Sequence, residues 1–224
     1  YRGVRSMPLA MFDLDNTLIG GDSDYLWGEF LCEEGIIEDP NSFQKMNEHF
    51  YQQYEIGKLD IYAWAEFSFK VLSDYPIDEL NDLRENFIQQ KIEPIFLEKA
   101  QSCINKHKTN GDTVLVITAS NTFITAPIAE MYGINNLLAT EPEIKDGRFT
   151  GKVSGIPCFQ SGKIDNLMPW IKKHNMNLKG SYFYSDSHND LPLLELVDNP
   201  VAINGDPKLT IAANENGWPN IDWR

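Results

Sequence analysis

The sequence predicts an α/β protein: a parallel sheet between two layers of helices, with a helical region inserted into it. Three observations carry this. Short apolar runs at Pro8–Phe12, Thr113–Thr118, Tyr182–Tyr184 and Val201–Ile203 have the length and composition of buried strands. Helical patterns alternate with them, and that order implies parallel strands in a three-layered fold. Between the first two runs, from residue 21 to about 95, no strand pattern occurs.

The first strand ends in Asp13-Leu14-Asp15-Asn16-Thr17-Leu18. In extended backbone a spacing of two aims Asp13 and Asp15 the same way, off the carboxyl end of the strand. Two like charges there are costly unless a cation or a proton-transfer task holds them. A bare pair of this kind is otherwise a polar turn. A calcium loop is excluded, because Leu18 falls where glycine is required and Asp24 where glutamate is expected.

Gly20 and Gly21 break the strand, and apolar residues then recur at helical spacing. Leu26, Trp27, Phe30 and Leu31 form one stripe; Phe43, Met46, Phe50 and Tyr54 a second; Trp64, Phe67 and Val71 a third; Leu80, Leu83, Phe87 and Ile88 a fourth, which Pro94 ends. Residues 21–95 are thus predicted as an insertion of about four helices, and residues 1–20 and 96–224 as the core. A helix over about 95–108 leads to the second strand. Another runs from about Asn121 to Tyr132, with Pro127 expected to bend or restart it. Asp146-Gly147 marks a hairpin turn, and Ile164–His174 is helical. In parallel sheets sites lie at the carboxyl ends of the strands, where Asp13, Thr118 and Asp186 fall. No internal repeat or low-complexity segment appears.

At 224 residues the chain can bury a real core, and 42% hydrophobic and 23% charged residues are ordinary. A net charge of −14 argues against nucleic acid or an anionic membrane as the partner. It also repels phosphorylated substrates, so a phosphate site must be made locally positive by a metal or a lysine. Cys32, Cys103 and Cys158 show no C-x-x-C spacing and suggest free thiols in a reducing compartment. No run suits a membrane span or a signal peptide. Tyr1 to Ser6 read as a leader or an artificial extension before Met7, and the expected location is the cytoplasm.

Phe12-Asp13-Leu14-Asp15-Asn16-Thr17-Leu18 resembles the D-x-D-x-T motif of the haloacid-dehalogenase-like phosphatases. From about Pro8 onward the chain resembles their phosphoserine-phosphatase-like branch, in the subgroup that includes histidinol-phosphatases. The resemblance implies a Rossmann-like core with a helical cap. It implies that Asp13 is the nucleophile and a Mg2+ ligand. Asp15 would be the general acid, its backbone carbonyl also on Mg2+. Thr118 would bind the phosphoryl group, with Ala119 and Ser120 standing where relatives have two glycines. Lys163 would neutralise phosphate charge. Ser185-Asp186-Ser187-His188-Asn189-Asp190 matches the acidic fourth motif, with Ser185 in place of glycine. There Asp186 would ligate Mg2+, Asp190 orient Lys163, and Asn189 contact phosphate, while His188 reads as structural because Mg2+ prefers oxygen.

Over the site, Asp22 occupies the position of the acid that holds the amine in phosphoserine phosphatases. Those enzymes grip the carboxylate with a cap arginine, but Tyr62–Lys70 contains none. Arg84 is the one arginine between the first two motifs, and Lys70 would be a poorer substitute. Asp22, Asp24, Tyr62 and Trp64 better suit an amine or imidazolium without a carboxylate. The implied activity is Mg2+-dependent hydrolysis of a small phosphate monoester through an aspartyl-phosphate. An amino-alcohol phosphate such as histidinol phosphate is favoured and phosphoserine is the alternative. From another class, a catalytically silent phosphate-binding protein would share this fold but would not need the acid Asp15. The sequence leaves the oligomeric state open.

Overall fold

The computed structural model describes residues 8–224, so the reading of Tyr1 to Ser6 and Met7 lies outside the described residues. Seven strands form one sheet in the order β4-β3-β2-β1-β5-β6-β7. They are β1 (Leu9–Phe12), β2 (Thr113–Asn121), β3 (Leu137–Lys145), β4 (Arg148–Ser154), β5 (Tyr182–Ser185), β6 (Asn199–Ile203) and β7 (Asn220–Ile221). All pairings are parallel except the hairpin of β3 with β4. Its turn is the predicted one: Asp146 and Gly147 both have positive φ, 49° and 74°, as a two-residue hairpin requires.

The period of two sorts β1 onto both faces of the sheet. Ala10 and Phe12 join one buried cluster with Val114, Val116 and Tyr184, while Leu9 and Met11 join another with Leu115, Ile117 and Phe183. Helices α5 (Glu98–Asn110) and α6 (Thr122–Met131) cover the first face. Helices α7 (Ser161–Lys173), α8 (Leu191–Leu194) and α9 (Pro207–Asn216) cover the second. The result is the three-layered α/β/α arrangement.

Between β1 and α5 lie α1 (Ser23–Glu33), α2 (Pro40–Glu55), α3 (Ile61–Asp74) and α4 (Ile77–Phe87), then a π turn and a 3-10 turn through Ile95. The carboxylates of Asp22, Asp39 and Asp60 cap the first three helices by accepting backbone N–H groups of the first turn. These helices do not form a core of their own. Trp27, Phe30, Phe69, Leu80 and Phe87 continue the cluster of the first sheet face without a break. α2 differs, for Asn47 is its one buried residue.

The two chain crossings into this region are tied together. Gly20 N–H donates to Ile95 O at 2.8 Å, and Ile19 bridges Phe96. The Tyr132 hydroxyl donates to Leu18 O and accepts from Leu97 N–H, its ring stacked on Phe96.

Four expectations need correction. β2 runs three residues past Thr118, and α7 starts at Ser161 rather than Ile164. Pro127 lies inside a single α6. α9 and β7 close the carboxyl-terminal side, where the sequence offered no helix or strand pattern strong enough to read. No described helix is long and apolar enough to cross a membrane.

Candidate active site

The site forms where β1, β2 and β5 end beneath the inserted helices. Asp13 N–H extends the β1–β5 ladder by donating to Tyr184 O at 2.9 Å. This fixes the backbone and sets the carboxylate at the rim of the sheet. Asp13 Oδ1 accepts from Lys163 Nζ at 3.0 Å, while its Oδ2 is buried with no partner among the described residues. Lys163 stands in the first turn of α7 and also meets Asp190 at 2.7 Å. Asp190 in turn accepts from Ser185 Oγ at 2.6 Å.

Asp15 is held differently. Its Oδ1 accepts from Ser23 N–H at 2.6 Å and its Oδ2 from Ser120 Oγ at 2.5 Å, with Thr118 Oγ1 at 3.5 Å. Asp186 accepts from Thr17 Oγ1 at 3.1 Å. Ala119 O is taken by Thr140 Oγ1 at 2.7 Å, which shapes the loop after Thr118.

Burial dominates the electrostatics. It pushes the Asp13 carboxyl up to about 7; Lys163 opposes the rise and the charges of Asp190 and Asp15 reinforce it. Burial also raises Asp15, against its bonds from Ser120 and Ser23. Asp186 stands well above the usual range, first from burial and then from the charge of Asp13. For Lys163 burial alone would lower the ammonium, but the carboxylates of Asp13 and Asp190 more than offset it and the group is raised. One ammonium thus stands among several carboxylates in a poorly solvated space. Such a site takes up positive charge readily.

Above this floor a pocket of about 500 Å³, counting the space open at its mouth, extends between α1, α2 and α3. Asp22 and Asp24 line it from α1 and its cap, Asn47, Tyr51 and Tyr54 from α2, and Trp64 from α3. Asp22 is raised well above its ordinary range by burial and by the charges of Asp15 and Asp24. Asp24 accepts from Asn121 Nδ2 at 2.6 Å, and burial pushes it up to about 7.

Several sequence expectations fall elsewhere. Tyr62 is 60% exposed and turns away from the pocket that Trp64 lines. Lys70 is on the surface, paired with Asp74 at 2.9 Å. Arg84 donates to Phe123 O at 2.8 Å and lies over the Phe123 ring. Neither cation reaches the pocket. Asn189 donates to Tyr54 O at 2.9 Å and accepts from Gln160 Nε2 at 3.0 Å, so its amide ties α2 to the core. His188 pairs with Asp206 at 2.7 Å, outside the carboxylate group. The contacts of Ser23, Ser120 and Asn121 escaped sequence reading, since no motif marks a donor that only the fold delivers.

A strand end that carries a buried carboxylate, a lysine clasped by two carboxylates and an acidic loop after β5 make up the floor of a site suited to phosphoryl transfer. The chain belongs to the haloacid dehalogenase-like hydrolases, whose family model matches residues 10–195, and it is a phosphatase. It is 40% identical to histidinol-phosphatase of Neisseria meningitidis serogroup C (strain 8013) over 220 residues, 96% of this chain and 99% of that one. It is 31% identical over 217 residues to phosphoserine phosphatase SerB1 of Mycobacterium tuberculosis (strain ATCC 25618 / H37Rv), 96% of this chain and 70% of that one. A crystal structure of a Bordetella pertussis Tohama I protein of unknown function superposes with a TM-score of 0.92 at 39% identity. That match covers 98% of this chain and 100% of the other.

Proposed function

We propose that this phosphatase hydrolyses a small amino-alcohol phosphate, histidinol phosphate above all, through an aspartyl-phosphate on Asp13. The observation that carries the substrate class is the pocket wall. It holds a buried carboxylate, Asp24, and a half-buried one, Asp22, among aromatic rings, and no lysine or arginine of the described residues lines it. An ammonium or imidazolium finds partners there, whereas a substrate carboxylate would meet only like charge. The histidinol-phosphatase relative points the same way.

In this reading Asp13 attacks phosphorus through Oδ1, the oxygen that faces Lys163, and the ester P–O bond breaks. Asp15, whose carboxyl burial raises, gives its proton to the departing alkoxide. Asp15 then takes a proton from water as that water attacks the aspartyl-phosphate, which releases phosphate and regenerates Asp13. Lys163, held by Asp190, and the Thr118 hydroxyl stabilise the phosphoryl oxygens, with Ala119 N–H beside them. Asp22 receives the substrate ammonium. Asn189 acts on the phosphate side by fixing the loop that carries Asp186 and Asp190.

Among the described residues no group of three or more His, Cys, Asp or Glu side chains is arranged to hold a metal. The oxygen-only set of Asp13, Asp186 and the Asp15 backbone carbonyl does fit Mg2+, and the unpartnered Asp13 Oδ2 suits it. Bound there, Mg2+ would draw charge from the phosphoryl oxygens. The three cysteines are free, which accords with a cytoplasmic enzyme.

A panel of phosphomonoesters tests the reading. Histidinol phosphate is expected to exceed phosphoserine in kcat/KM by tenfold or more, because phosphoserine brings a carboxylate with no cation to meet it. A clear preference for phosphoserine overturns it.

A further inference from the structure

Asn47 is the one buried side chain of α2, polar and only 6% exposed. One of its four hydrogen-bonding sites is used. Its Nδ2 donates to Tyr25 O at 3.0 Å, and its Oδ1 accepts from no described residue. The little surface it keeps lies on the active-site pocket, which it lines. An acceptor that keeps accessible surface in a pocket wall and has no protein donor is free to take an N–H from a ligand.

Its placement is built. A Cβ at Gly28 would lie 2.5 Å from Asn47 Nδ2 and 2.9 Å from its Cγ, so glycine there leaves the room in which the amide lies against α1. Gly28 follows Asp24 by four residues and therefore shares its face of α1. Asp24 also lines the pocket and is pinned by Asn121 at 2.6 Å. The pocket thus presents an amide oxygen and a carboxylate, both on helices. Phe50, Tyr51 and Trp64 line the same space and offer flat apolar surface.

We propose that Asn47 is a specificity-determining residue whose amide oxygen accepts the ring N–H of an imidazole-class group at the substrate end remote from phosphate. This rests on the amino-alcohol phosphate reading and extends it from one recognised nitrogen to two. A site that hydrogen-bonds a substrate group rejects analogues lacking it, because its own polar atom is then left unpaired. Asn47 would supply that rejection, while Asp22 serves the ammonium common to all such substrates.

The test compares histidinol phosphate with the same compound methylated on its ring, which at pH 8 has no ring N–H. For the wild-type enzyme, methylation is expected to lower kcat/KM at least fivefold. In Asn47→Leu, of similar volume, that penalty should shrink at least threefold. If Asn47→Leu does not fold by circular dichroism, Gly28→Ala replaces it, since the added methyl displaces the amide without touching the substrate. A methylation penalty below fivefold in the wild type overturns the proposal. So does a penalty that persists, shrinking less than threefold, in a folded variant. Both results are distinct from failure of the parent reading, in which the wild type would favour phosphoserine over histidinol phosphate.

Discussion

At the scale of single residues, the site depends on carboxylates kept in conditions where they resist ionising. Asp24 shows the consequence for stability. Burial raises its folded-state pKa to about 7, whereas the unfolded chain releases that proton near pH 4. Between those values the folded state holds the extra proton, so its contribution is full below about pH 4 and is lost as pH rises toward 7. The slope is at most about 1.4 kcal/mol per pH unit. Asp24→Asn removes this linkage, and its melting temperature relative to wild type is expected to climb from pH 5 to pH 7.5. Parallel profiles would refute the assignment. The acids were legible because motif spacing fixes them: Asp13, Asp15, Asp186, Asp190 and Lys163 all meet at the site. Tyr62 and Trp64 were paired wrongly because residues two apart on a helix face different ways. Ser120 was read as a lost glycine, but β2 runs on past it and turns its hydroxyl onto Asp15.

Among elements, the roots of the insertion deserve the closest physical account. The Tyr132 hydroxyl serves both chain crossings, bonding Leu18 O and Leu97 N–H from one buried position. Tyr132→Phe keeps the ring on Phe96 and strands those two backbone groups, a loss of about 1–3 kcal/mol. Urea unfolding is expected to show it as a lower midpoint at unchanged slope; an unchanged midpoint would mean that water replaces the hydroxyl. The four helical stripes were legible because each has an apolar face long enough to count. α9 was not, since Leu209 and Ala213 are its only buried residues and make too thin a stripe. β7 spans two residues and carries no pattern at all. Nothing local in the sequence announced that Tyr132 would clasp both crossings, because its partners lie 35 and 114 residues away.

For the whole molecule, a formal charge of −14 opposes an anionic substrate, and the described site adds one lysine against several acids. Divalent metal should therefore be indispensable. EDTA is expected to abolish phosphate release from p-nitrophenyl phosphate and Mg2+ to restore it; full activity in EDTA would sink the metal assignment. The apolar cluster that runs from the sheet into α1, α3 and α4 has a further bearing on the inserted helices. Lifting those helices would expose Trp27, Phe30, Phe69 and Phe87 together, a large hydrophobic loss. α2 fully buries only Asn47; Phe43 and Phe50 pack half-buried against the cluster, and polar ties run from Asn189 to Tyr54 O and from Lys208 to Ile56 O. The tie from Asn189 thus joins the helix that carries Asn47 to the residue next to the carboxylate that grips Lys163, so any shift of α2 would be felt at the phosphate end of the pocket.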